Sequence, residues 1–222
     1  MAEAAATPAT GPVPTTIAVR TPSKYAPSSS SSSSSSPSPP TPPAFAAPPL
    51  DWLHRTWAVT HSTLSMWRTA QNVRITYAPL APHPSSGLAR VDDLVEYESN
   101  KPGRAGVKTV AGVDTASSAA GDDGAWDWRG KGWLFFVSSH WEVLGWGERP
   151  LAGGAGVERW VVTWFAPTLF TKEGVDFYSD RPEGLSEETA ATITAALAEG
   201  PLAEMVKKDM QAVDIKLPWQ EK

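Results

Sequence analysis

From residue 50 onward the chain is written in short alternating stretches, and this pattern restricts its fold more than any other feature. In 72–78, Val73, Ile75 and Tyr77 alternate with Arg74 and Thr76. In 91–98, Val91, Val95 and Tyr97 share one face while Asp92, Glu96 and Glu98 share the other. A period of two belongs to a strand with one buried face. Eight such stretches can be read, at 56–61, 72–78, 91–98, 107–113, 132–137, 140–147, 157–166 and 175–179. Gly, Pro, Ser and Asp clusters separate them, and most links are too short for a crossover, so neighbours should run antiparallel. Asn100-Lys101-Pro102-Gly103 reads as a turn and Ser138-Ser139 as a two-residue hairpin. The longer links, 114–131 (with Trp126 and Trp128) and 148–156, are expected to be surface loops.

A meander of eight strands has two open edges unless the sheet closes on itself. The expected fold is therefore all-β, an eight-stranded antiparallel up-and-down barrel whose interior holds side chains or one small ligand. A two-sheet sandwich is the competing architecture. After Gly184 the pattern becomes helical: Ser186 is a candidate N-cap, Glu187 and Glu188 fill the first turn, and Ile193, Leu197, Leu202, Met205 and Val206 supply an apolar stripe. Gly200-Pro201 should split this segment in two.

Residues 1–50 are different in kind. They hold 12 of the 21 prolines and the Ser run 28–36, and offer little that could offset the entropy of ordering. The expected division is a disordered tail at 1–50, a barrel at 51–183 and a helical segment at 184–222. The tail is expected to be dispensable for folding. It has no continuous apolar core of a secretory signal, and the chain has no Cys, so a cytoplasmic location is expected. The net charge of −5, without a dense Lys/Arg cluster, argues against a nucleic-acid partner, and no apolar run reaches the ~20 residues of a membrane span. Oligomeric state is not legible. The 11 Trp, all at or after Trp52, call for an aromatic core or an aromatic cavity.

Trp52-Leu53-His54-Arg55-Thr56-Trp57 resembles the opening of the lipocalins, in which a Gly-x-Trp begins the first strand and the Trp plugs the barrel floor; here Arg55 stands where the Gly would be. The runs 59–67, 72–77, 126–133 and 138–145 resemble small intracellular calycin-like proteins of fungi. The resemblance implies a lipocalin-like barrel that holds a small hydrophobic molecule. It also implies a floor at Trp57, with Arg181 as the positional match for an Arg stacked on it. Some related barrels act as cyclases, including hetero-Diels–Alder catalysts, so a cofactor-independent isomerase or cyclase is the alternative reading.

Alternation places Trp57, His61, Tyr77 and Tyr97 inside the barrel. Trp141 is expected inside because Glu142 should face water, and Trp133, Trp160 and Trp164 complete an aromatic wall. Met66 and Trp67 lie in the link after strand one, at the open mouth. His61, at the strand end, is the best candidate for a catalytic or ligand-orienting group. Arg74 alternates outward, and the acid pairs Asp92-Asp93 and Asp122-Asp123 read as solvated turns. No His spacing matches a zinc site, no phosphate or dinucleotide loop appears, and neither metal nor cofactor is expected. The primary reading is binding of a small, largely apolar, aromatic or polycyclic metabolite; a barrel filled by its own rings, with a structural or interaction role, is the third.

Overall fold

The computed structural model describes residues 17–26, 45–118, 124–154 and 156–221. The Ser run 28–36 and Asp122-Asp123 lie outside these residues. A short helix α1 (Leu50–Leu53) leads into eight strands: β1 (Thr56–Ser62), β2 (Ala70–Leu80), β3 (Arg90–Ser99), β4 (Val107–Ala116), β5 (Ala125–Gly130), β6 (Ser138–Pro150), β7 (Val157–Phe165) and β8 (Gly174–Ser179). Two helices, α2 (Glu187–Leu197) and α3 (Ala203–Asp209), and a two-residue strand β9 (Gln211–Ala212) follow. Each strand pairs antiparallel with the next, β8 returns to β1, and β1 pairs with β2, which closes the barrel. The expected up-and-down barrel and the paired C-terminal helices are both present. No helix among the described residues is long and apolar enough to cross a membrane.

The fifth strand corrects the sequence reading. Residues 125–130 form β5, and 132–137, read as the strand, belong to the connection 131–137 that leads to β6. Gly132 there has φ 58°, the left-handed region that L-residues avoid, so the chain turns where a strand was expected. Trp126 and Trp128 thus lie on a strand paired with β6, rather than in a floor loop.

Closure is completed from outside. β1 and β2 pair only over Thr56–Ala58, and beyond that the C-terminal segment fills the seam. The Val213 N–H donates to the Thr60 carbonyl at 2.9 Å and the Asn72 N–H to that of Asp214 at 2.8 Å. Asn72 (φ 53°) sits at a bulge in β2, where its side chain takes the Lys216 N–H and donates to Glu98. Asn tolerates this conformation better than other side chains.

Two apolar cores result. One lies inside the barrel, around Trp57, Tyr77, Trp141 and Tyr178. The other lies between the outer face of β6–β8 and the helices, where Leu144, Trp160, Trp164, Val175 and Phe177 meet Ile193, Leu197, Leu202 and Val206. The Ser186 hydroxyl caps α2 as expected, accepting from the Thr189 N–H, and buried Glu158 on β7 accepts from the Ser186 N–H at 2.8 Å. This tie fixes the helix over the sheet.

Parts of the expected tail pack on the barrel. Ile17 is buried in the outer core, and the Arg20 N–H donates to the Leu144 carbonyl at 2.8 Å. Arg20 pairs with Glu142 at 2.8 Å, and the Ser23 N–H and hydroxyl donate to the same carboxylate. Glu142 does point away from the lumen, but this cover leaves it buried instead of solvated. Arg74 likewise points outward and is buried, between Glu96, Glu98 and the ring of Trp219.

Candidate functional site

The lumen is lined by the inward half of each strand, and registers identify its members. Tyr77 on β2 faces Asp93 on β3, and Asp93 faces Gly112 on β4. Asp114, two residues on, shares that face and pairs with Trp128 on β5. Trp126 pairs with Trp141 on β6, Thr163 on β7 with Asp176 on β8, and Asp176 with Ser62 on β1. A belt of aromatic rings and three carboxyls therefore runs round the inner wall. Trp141 stacks between Tyr77 and Trp126, with centroids at 5.7 and 6.0 Å, and Phe165 lies 6.4 Å away. Gly112 makes room for this arrangement, because the Trp128 indole occupies the place a Cβ would take, 2.1 Å from its position.

The three carboxyls are buried in the wall, and neither Asp93 nor Asp114 has an ion pair with a Lys or Arg among the described residues; Lys131, paired with Asp92, acts on Asp93 only at a distance. Burial pushes the Asp114 carboxyl up to about 7 against a hydrogen bond from Trp141. Burial, with Asp114 and Asp92 nearby, pushes Asp93 well up, and the Trp128 indole opposes it. Asp176 is also raised to about 7 by burial, although the Ser62 hydroxyl donates to it at 2.5 Å and Arg68 lies within electrostatic reach. Burial pushes the Tyr77 and Tyr178 hydroxyls well above the ordinary phenol value. Two buried carboxyl oxygens here have no hydrogen-bond partner among the described residues, Asp93 Oδ1 and Asp114 Oδ2; the Trp67 indole lies toward Asp176 and the Tyr178 hydroxyl toward Thr163 and Tyr77. Buried polar groups are nearly always paired, so two exceptions on neighbouring strands are chemically informative. Among the described residues, no group of His, Asp and Glu is arranged to hold a metal.

At the mouth, Met66, Trp67 and Tyr97 line a cavity of 190 Å³ together with Lys101, Arg104 and Lys108. Trp67 and Tyr97 meet edge to face at 5.5 Å. The floor is built from Trp57, Trp52 and Trp146, with Trp52 5.1 Å from Trp57 and 4.8 Å from Trp146. The guanidinium over Trp57 is Arg55, at 5.5 Å, and not Arg181, which lies 3.7 Å from Glu158 beneath α2. The departure from the Gly-x-Trp pattern thus supplies the cation itself.

Of the residues expected in the site, Trp57, Tyr77, Tyr97, Trp141 and Trp67 are in the inner core or packed against it, with Met66 at the rim. Four are elsewhere. Trp160 and Trp164 do share a face, but it is the outer one, under the helices. Trp133 is 78% exposed on the 131–137 connection. His61 is turned outward by a register shift between Val59 and His61, lies 5.6 Å from Phe177, and pairs across to β9. Burial there lowers its pKa. The residues missed are Asp93, Asp114 and Asp176, with Trp126 and Trp128, which were expected in a loop and lie on β5. Asp93 was within reach, since it has the parity of Val91, Val95 and Tyr97, but its pairing with Asp92 in sequence made it look solvated.

No protein-family model and no curated protein matches the chain. Among solved structures it is similar to lobster apocrustacyanin A1, at 8% identity over 73% of this chain and 77% of that one, with a TM-score of 0.41. It is also similar to the siderocalin Ex-FABP, at 10% identity over 75% of this chain and 96% of that one, with a TM-score of 0.44.

Proposed function

We propose that this barrel binds a small molecule in its lumen, with a flat apolar body held against Tyr77, Trp126 and Trp141 and a hydrogen-bonding group held by the carboxyl belt. The observation that carries the reading is the pair of unpartnered buried carboxyl oxygens, on Asp93 and Asp114, beside stacked rings. Leaving a buried polar atom unpaired costs about 1–3 kcal/mol, so a molecule that pairs both gains selectively from doing so. Two carboxyls raised to about 7 share a proton readily with a ligand N–H or O–H group. The ligand class this favours is an aromatic or polycyclic molecule bearing such a group, rather than a plain hydrocarbon.

The test is native mass spectrometry of the protein from its own cells, followed by titration of any retained molecule into the wild type and Asp114→Asn. The expected result is a retained small molecule whose affinity falls about tenfold in the variant. An empty protein that gains no stability from any candidate ligand would favour a barrel filled by its own rings.

The same carboxyls support a second reading, a cofactor-independent isomerase or cyclase. A group titrating near neutrality suits general acid–base work, and the lumen would hold a substrate folded. Conversion of the bound molecule, lost in Asp114→Asn but not in His61→Ala, would separate this reading from binding alone.

A further inference from the structure

We propose that the open end of the barrel docks on an anionic membrane surface. Antiparallel topology puts the connections 63–69, 100–106, 131–137 and 166–173 at one end. Met66, Trp133, Phe135, Phe136, Leu169 and Phe170 lie on three of them, and all are exposed, Leu169 by 96%. The remaining exposed large hydrophobics among the described residues, Leu50, Val157 and Leu217, are scattered elsewhere. Exposed apolar groups occurring singly mean little, but six gathered round one opening mark an interaction site.

Charge selects the partner. The four connections contain Arg68, Lys101, Arg104, Lys131 and Lys172 against a single acid, Glu173, in a chain of net charge −5; Arg68 is bonded to the Ser62 and Asp209 carbonyls and Lys131 to Asp92, so Lys101, Arg104 and Lys172 are the cations the surface offers. Glu173 is already held by Lys24 and Tyr25. At the opposite end the link 81–89 contains no Lys or Arg, and Arg55 and Arg181, which flank β1 and β8 there, are paired with Asp180 and Glu158. Aromatic and aliphatic tips with basic residues beside them suit the boundary between lipid head groups and acyl chains, where each exposed cation gains from anionic head groups. Docked in this way, the mouth would open toward lipid, so an apolar molecule could pass between bilayer and lumen without crossing water. The docking does not depend on what the lumen binds.

The test is co-sedimentation of the full chain with phosphatidylcholine vesicles, with and without roughly a third of phosphatidylserine, at low and high salt. Binding is expected to the anionic vesicles and to weaken with salt. Trp133→Ser/Phe136→Ser and, separately, Leu169→Ser/Phe170→Ser should each lower it about tenfold or more. Lys101→Gln/Arg104→Gln should do the same on anionic vesicles only. All these side chains are exposed, so unchanged melting confirms that the fold is intact. Failure to bind either vesicle overturns the proposal, as does binding indifferent to all three variants. Concentration-dependent self-association lost in the apolar variants, without vesicle binding, would assign the patch to a second copy and overturn it too.

Discussion

Trp141 donates its indole N–H to one oxygen of Asp114 at 2.7 Å, and the other oxygen of that carboxyl has no hydrogen-bond partner among the described residues. One half-satisfied carboxyl in the lumen makes stability depend on pH in a definite direction. Burial raises Asp114 to about 7 from an unfolded value near 3.8, and Asp176 behaves alike. Between those values the folded state holds more protons than the unfolded one, so stability falls as pH rises through this window. The melting midpoint of the unliganded protein should therefore be higher near pH 5 than near pH 8, roughly. Asp114→Asn should raise the stability on the alkaline side, by about 2–4 kcal/mol at most and with it the midpoint, and change little on the acid side. Thermal melts across pH check this; an equal effect of the variant at both ends would remove the assignment.

The barrel was legible because alternation and short links leave few alternatives for eight strands. The site was legible only by face. Trp160 and Trp164 were correctly given one face, but a period of two does not say which face looks inward, and here α2 and α3 give the outer face a core of its own. His61 was lost to a bulge, since one extra residue turns every later side chain over and no local composition announces it. β5 was displaced because 132–137 is an apolar run that looks like a strand, yet its rings are exposed at the mouth. The acids were passed over because a doublet such as Asp92-Asp93 usually marks a turn, whereas here the pleat sends one outward to Lys131 and the other into the lumen.

Arg20 and Glu142 set a second prediction. The carboxyl is buried on the outer wall, and burial alone would raise it, but hydrogen bonds from His140 and Ser23 and the charge of Arg20 hold it down at about 2. Its contribution to stability is present above the unfolded value near 4.5 and is lost as pH falls toward 2. Deleting residues 1–26 removes Arg20, Ser23 and the buried Ile17 but also opens Glu142 to water, so the cost near neutral pH should be roughly 1–3 kcal/mol, from lost hydrogen bonds and apolar burial. Deleting only 1–16 should cost little, given a composition unsuited to a core. Melting of the two truncations decides it, and equal midpoints would show that the Arg20 contact contributes nothing.

Trp57 and Arg55 give a third. Trp57 is fully buried, with its indole N–H donating to the Leu53 carbonyl at 2.9 Å. Trp57→Ala should cost about 3–5 kcal/mol. Arg55 stacks on Trp57 and Trp52 and lies 3.6 Å from Asp180, so Arg55→Ala should cost about 1 kcal/mol. A double-mutant cycle should show coupling of roughly 0.5–2 kcal/mol between Arg55 and Trp57, and additivity between Arg181 and Trp57. The opposite pattern would restore Arg181 to the floor.

Gly112 gives the last. On β4 it lies opposite Asp93 and Gly130, and the Trp128 indole fills the space above it. A Cβ there would meet Trp128 Nε1 at 2.1 Å and Cε2 at 2.2 Å. The ring is bonded toward Asp93, whose carboxyl the indole N–H pulls down in part against burial, so it cannot shift without giving up that contact. Gly112→Ala should therefore cost roughly 1–3 kcal/mol by overpacking, a small change in volume with a large effect. It should also alter the near-ultraviolet circular dichroism of the Trp bands and push Asp93 further toward its protonated form, steepening the loss of stability with rising pH. Gly200→Ala is the matched control, since nothing lies within 4 Å of its Cβ. If the two Ala variants melt together and give the same spectrum, Trp128 does not sit over Gly112, and the wall that carries Asp93 and Asp114 has another shape.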